Sequence, residues 1–121
     1  MVRRAILAVA LCIAAAAPAA AGDAVHGKEL YESRCGGCHS LDANRVGPAH
    51  RGVYGRTAGT APNFNYSTAV KESGVVWEEQ SLDAWLTNPQ ELIPGQRMNF
   101  RVAAAQDRAD IIAYLREQSG R

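Results

Sequence analysis

The sequence predicts an all-α domain with long irregular loops wrapped around a prosthetic group, and three observations carry that expectation. Apolar residues recur at helical spacing near both ends of the chain. Glycine and proline break up the stretch between them, and no segment alternates as a strand would. The pentapeptide Cys35-Gly36-Gly37-Cys38-His39 sets two thiols three positions apart, with an imidazole directly after the second.

The N-terminal stretch reads as a targeting segment rather than as structure. Arg3 and Arg4 precede an almost wholly aliphatic run from Ala5 to Ala17, followed by Pro18 and the small residues Ala19, Ala20 and Ala21. That is the layout of a secretory signal peptide, and the run is short for a membrane span. Leu11 precedes Cys12 where a lipoprotein would carry a small residue, so Cys12 is read as filler. Residues 1–21 are thus expected to be removed, leaving 22–121 as one exported domain of 100 residues with no stable membrane insertion. Without Arg3 and Arg4 the chain keeps 11 basic against 12 acidic residues, a net −1. Near-neutrality gives no footing for nucleic-acid binding and only weak long-range steering of a partner.

Asp23 is positioned to cap a first helix that includes Leu30 and Tyr31 and runs into the pentapeptide; Gly27 and Tyr31, four apart, share a face. The pentapeptide is the attachment signature of a c-type haem. Each thiol adds across one vinyl group, and a short helical turn brings both sulfurs to one edge of the ring. His39 then falls beneath the iron as the proximal ligand. A thioredoxin-like pair would sit in a βαβ pattern, which the chain lacks, and a zinc site would need a second ligand pair.

Gly47-Pro48 and Gly52 through Gly59 mark irregular backbone. A short helix fits Ser67–Glu72, and a longer one runs from about Glu79 to Asn88, burying Leu82, Trp85 and Leu86 and closing at Asn88-Pro89. Met98 follows on a Pro94-Gly95 turn that can swing its side chain inward; His50 and His26 are rival second axial ligands, and core packing is the plain alternative for an isolated methionine. The last helix spans about Gln106 to Glu117, with Ile111, Tyr114 and Leu115 as its buried stripe and Arg108, Asp110 and Glu117 opposite.

Taken in order, these segments resemble the class I cytochrome c family of mitochondrial and bacterial c2-like proteins over nearly all of residues 23–118. The carrying residues are Gly27–Tyr31, Cys35-x-x-Cys38-His39, Val46-Gly47-Pro48 with Gly52–Arg56, Phe64-Asn65-Tyr66, Trp77, Leu86-x-Asn88-Pro89, Ile93-Pro94-Gly95 through Met98-x-Phe100, and Arg108–Leu115. The resemblance implies crossed terminal helices meeting at Gly27, Tyr31, Ile111 and Tyr114, around one covalently bound haem c. It implies Met98 as distal ligand, Pro48 offering its carbonyl to the Nδ1 proton of His39, and Tyr66 and Trp77 bonding a haem propionate with Arg56 nearby. Trp85 and Phe100 would complete the haem contacts.

The chain departs from the family pattern in places. Trp85 replaces a frequent tyrosine, Val70 a frequent asparagine, and His50 an apolar haem-contacting residue, so the redox potential does not carry over. The usual lysine ring is thinned to Arg34, Arg45, Arg97 and Arg101, interrupted by Glu29 and Glu91.

A histidine–methionine pair leaves no open coordination position, which argues against enzymatic turnover and for a periplasmic one-electron shuttle. Such a carrier is expected to be a monomer that docks briefly with one redox partner and then another. Two alternatives keep the haem: an electron-accepting subunit of a periplasmic dehydrogenase, oxidising sulfite or an alcohol for instance, and a gas-binding or peroxidase protein in which Met98 dissociates.

Overall fold

The computed structural model describes residues 9–14 and 21–121; most of the expected signal segment lies outside the described residues. The architecture is helical, with helix α1 at Ala24–Leu30, α2 at Thr68–Glu72, α3 at Glu79–Thr87, α4 at Pro89–Leu92 and α5 at Ala105–Glu117. Among the described residues the only β-type pairing is an isolated antiparallel bridge between Thr57 and Val76. No helix among them is long and apolar enough to cross a membrane.

Helix α1 starts where its cap dictates. The Asp23 carboxylate accepts from the backbone N–H groups of Val25 and His26, satisfying donors that a helix start leaves unpaired. The helix does not stop at Leu30. It widens into a π-helical turn, Tyr31–Cys35, whose closing bond runs from the Gly36 N–H to the Tyr31 carbonyl at 2.9 Å.

Helix α5 crosses α1 at close range. A Cβ on Gly27 would fall 1.9 Å from the Asp110 carbonyl oxygen, so only glycine admits this approach. Tyr31 and Tyr114 meet beside the crossing with ring centroids 5.4 Å apart, and α3 packs on the same helix. Leu30, Tyr31, Leu82, Leu86, Ile111, Ile112, Tyr114 and Leu115 form the shared core, joined by Val53, Trp77, Ile93 and Val102 from the loops.

Three expectations change. Asp110 is not on the solvent side of α5: it is 3% exposed. Its carboxylate accepts from the Asp23 N–H at 2.8 Å, from His26 Nδ1 at 2.7 Å and from the Gln106 amide at 2.9 Å. Polarity alone suggested exposure; the helix crossing supplies the bonds that make burial tolerable. Arg108 is mostly buried as well, its guanidinium bonded to Asp83 and to the carbonyls of Val102 and Ala103. The Asn88-Pro89 junction does close α3 but also opens α4, with Asn88 as cap and Pro89 at the first helical position.

Candidate functional site

The site is assembled from the end of the π-turn and the loop that folds back on it. The N–H groups of Cys38 and His39 both reach the Cys35 carbonyl, at 3.1 and 2.9 Å, which coils the pentapeptide into one tight turn. The thiols of Cys35 and Cys38 are free, the first half-buried and the second exposed. Burial, with the neighbouring Cys38 adding to it and Arg34 opposing, pushes the Cys35 thiol up to about 11. A thiol held so protonated is a poor candidate for disulfide exchange, which needs the thiolate.

Backbone bonds then fasten the following loop alongside. Gly47 donates to the Cys38 carbonyl at 2.9 Å, His50 to the Ser40 carbonyl at 3.1 Å and Arg51 to the Leu41 carbonyl at 2.9 Å. This clamp brings the Pro48 carbonyl to His39, whose Nδ1–H donates to it at 2.9 Å. Burial lowers the basicity of His39, with the Pro48 bond opposing and Arg45 assisting, so the ring is neutral. With its one proton committed at Nδ1, the lone pair is on Nε2, the form a metal ion requires. Gly47 abuts the ring: a Cβ there would fall 2.0 Å from His39 Cε1.

His50 lies face to face with His39, ring centroids 4.0 Å apart and planes inclined by 20°. A ligand on the far side of an iron from His39 would meet it end to end along the Nε2 axis. The stacked arrangement sets both rings side by side, so His50 is not placed as a trans ligand. His26 is bonded to Asp110 at the helix crossing, away from this turn.

The remaining expected residues lie on other loops, except Trp85, which is on α3. Met98 is half-buried just past a turn at Gly95 (φ 91°), and its N–H donates to the side-chain oxygen of the buried Gln96. Trp77 is buried and Trp85 half-buried, their rings edge to face at 5.2 Å. Trp85 thus falls short of the burial expected of it, packing against the core without being enclosed. The Tyr66 hydroxyl accepts from the Ala61 N–H at 3.1 Å, which leaves its own hydrogen to donate elsewhere. Arg56 donates to the carbonyls of Ala49 and Arg51, and backbone bonds pair its segment with Trp77. Phe100 is 39% exposed.

Two positioning residues escaped the sequence reading. Arg45 donates to the carbonyls of Gly36, Gly37 and His39, tying down the attachment turn. Gln96 holds the Met98 backbone. Arg45 was named only for its charge and Gln96 only as part of the Ile93–Phe100 segment; a lone arginine or glutamine in a loop carries no signal of a positioning role.

The residues present fit a covalently held haem: two unpaired thiols on one turn, a neutral imidazole with Nε2 free, and a glycine that lets the backbone crowd that ring.

Comparison with known proteins agrees with that chemistry. The family model described as "Cytochrome c" matches residues 24–119. Cytochrome c of Euglena viridis is 51% identical over 98 residues, covering 78% of this chain and 96% of that protein. Cytochrome c2 of Rhodomicrobium vannielii is 44% identical over 105 residues, covering 84% of this chain and 83% of its own. Among solved structures, cytochrome cH from Methylobacterium extorquens superposes with a TM-score of 0.76 at 38% identity, covering 79% of this chain and 99% of that one.

Proposed function

Since the chain belongs to the cytochrome c family and is a haem-based electron carrier, we propose that it is a periplasmic shuttle whose iron is held between His39 and Met98. The observation that carries this is the His39 ring, fixed through Nδ1 by the Pro48 carbonyl with Nε2 free. Haem c, held as thioethers by Cys35 and Cys38, supplies a reversible one-electron change at its iron.

The chain's own residues set the conditions of that change. Pro48 raises the donor strength of His39 through the Nδ1 bond. Met98 offers a soft thioether, which favours the reduced metal, and Gln96 pins the backbone from which it reaches. Tyr66 and Trp77 keep donors free for propionate oxygens, with Arg56 tied close by through Ala49 and Arg51. Apolar and aromatic side chains, Trp85 and Phe100 among them, exclude water from the rest of the ring.

The periplasmic reading rests on residues 1–21, whose charged start, aliphatic run and small-residue end support export and removal. Docking is transient and the carrier monomeric, as suits a protein that must release each redox partner quickly.

One observation favours a dedicated partner over a general one. Arg45 and Arg97 donate to backbone carbonyls of their own chain, and Arg34 pairs with Asp107 at 3.0 Å. With Arg34 offset by Asp107 and the expected mature chain close to neutral, a broad acidic surface is steered weakly. Co-purification with a larger periplasmic dehydrogenase at fixed stoichiometry would make this chain its electron-accepting subunit.

Ligation is tested by absorption of the oxidised holoprotein. The weak far-red band of a sulfur–iron(III) bond is expected in the wild type and absent in Met98→Ala, which also gains rapid carbon monoxide binding once reduced. A Met98→Ala spectrum identical to wild type would overturn the histidine–methionine assignment.

A further inference from the structure

The proximal side contains a group that electron transfer as described does not use. His50 is stacked on His39 at 4.0 Å, and its Nδ1 is hydrogen-bonded to the Tyr31 hydroxyl at 2.9 Å. Tyr31 is buried where α1 passes into the π-turn, in ring contact with Tyr114 of α5. The three side chains form one connected path from the crossing of the terminal helices to the face of the proximal imidazole.

An imidazole bound through Nε2 keeps one soft motion, rotation of its plane about the axis from that nitrogen to the metal. The hydrogen bond to Pro48 fixes the tautomer and the place of Nδ1 but resists this rotation less, because carbonyl oxygens accept over a broad range of directions. A flat ring in van der Waals contact restrains it far more, since turning the plane drives ring atoms into the neighbour. An aliphatic side chain at position 50 would cover the same space without presenting a flat face. The wall must itself be still, and the Tyr31 hydroxyl holds it: His50 cannot turn without breaking that bond and leaving the buried Tyr31 hydroxyl without its partner.

We propose that His50 is a positioning residue for the proximal ligand, held by Tyr31 so that its ring sets the plane in which His39 presents Nε2 to the haem iron. The inference rests on the reading of His39 as an iron ligand.

The test uses oxidised holoprotein, matured with haem, as wild type, His50→Ala, His50→Phe and Tyr31→Phe. In low-spin Fe(III) haem the plane of an axial imidazole governs the spread of the four haem methyl shifts in the proton NMR spectrum and the g-values in electron paramagnetic resonance. His50→Ala is expected to reorder or compress the methyl shifts and broaden the largest g-value. His50→Phe, which restores a flat face, returns both towards wild type. Tyr31→Phe shifts both in the direction of His50→Ala by a smaller amount. The Met98 methyl signal stays in place across the set.

A matured, low-spin His50→Ala protein with wild-type methyl pattern and g-values would overturn the inference while leaving the ligation intact. Should His50→Ala fail to mature, an unchanged pattern in Tyr31→Phe overturns it instead. A wild-type holoprotein without shifted His39 ring signals would remove the ligation reading, and this inference with it.

Discussion

Gly47 meets the most demanding steric requirement in the site. The loop carrying it is bonded to the Cys38 carbonyl, so its backbone cannot retreat from His39, and the ring cannot retreat from the Pro48 carbonyl. A methyl group would fall 2.0 Å from Cε1 and 2.5 Å from each ring nitrogen. Overpacking a well-fitted site usually costs ~1–3 kcal/mol, and a clash between a clamped backbone and a rigid ring belongs at the upper end. Gly47→Ala is therefore expected to lower the denaturant midpoint of the oxidised holoprotein and weaken the far-red band. A variant with wild-type midpoint and spectrum would show that the ring has room to shift. At this scale the pentapeptide was legible because attachment chemistry fixes both residue type and spacing. The Pro48 carbonyl was reachable only by family resemblance, since nothing local in the sequence aims it at a ring nine residues earlier. Arg45 and Gln96 were illegible because they act through backbone partners, which leave no pattern in side-chain identity.

Between elements, the α1–α5 crossing carries a pH dependence. His26 Nδ1 and Asp110 Oδ2 are 2.7 Å apart, and the Asp110 bond raises His26 above its ordinary 6.5, with Asp107 and Glu29 adding to it and burial opposing. Burial pushes the Asp110 carboxyl up, but the Asp23 N–H, His26 and Gln106 together hold it below its ordinary 3.8. A histidine whose folded value is raised stabilises fully below its unfolded value and loses that contribution as pH climbs through the folded one. The carboxylate's share is present above its unfolded value and disappears on acidification through the folded one. Stability from this pair therefore holds between those limits and declines from just above pH 6.5. Denaturant midpoints of wild type and His26→Ala should differ most near pH 6 and converge towards pH 8; a gap constant across that range would mean the contact acts through packing alone. The cap at Asp23 and the span of α5 were readable, being encoded within a turn or two of sequence. The burial of Asp110 was not, because it is decided by contact with residues 84 and 87 positions away in sequence, and the π-turn has no marker in the sequence.

Across the whole molecule, the helices are too few and too short to hold the loops unaided. Among the described residues the longest is α5 with 13 residues, and α2 and α4 have 5 and 4. Isolated helices of that length are marginal in water, and their stability must come from packing. The α1–α5 crossing packs well, but the middle of the chain is loop around half-covered apolar groups: Cys35, Leu41, Val70 and Trp85 lie against the core without being enclosed by it. Val46, beside the attachment loop, is 78% exposed. A domain of about 100 residues buries a modest fraction of its surface, and here a covalently held porphyrin is the largest apolar body available to complete it. Removing both attachment thiols should then unfold most of the chain, not merely empty a pocket. Circular dichroism of the Cys35→Ala, Cys38→Ala double variant is expected to show most of the helical signal lost, with no cooperative thermal transition. A colourless double variant that keeps native helicity and melts cooperatively would mean that the protein atoms alone build the fold, and that the haem occupies a cavity formed without it.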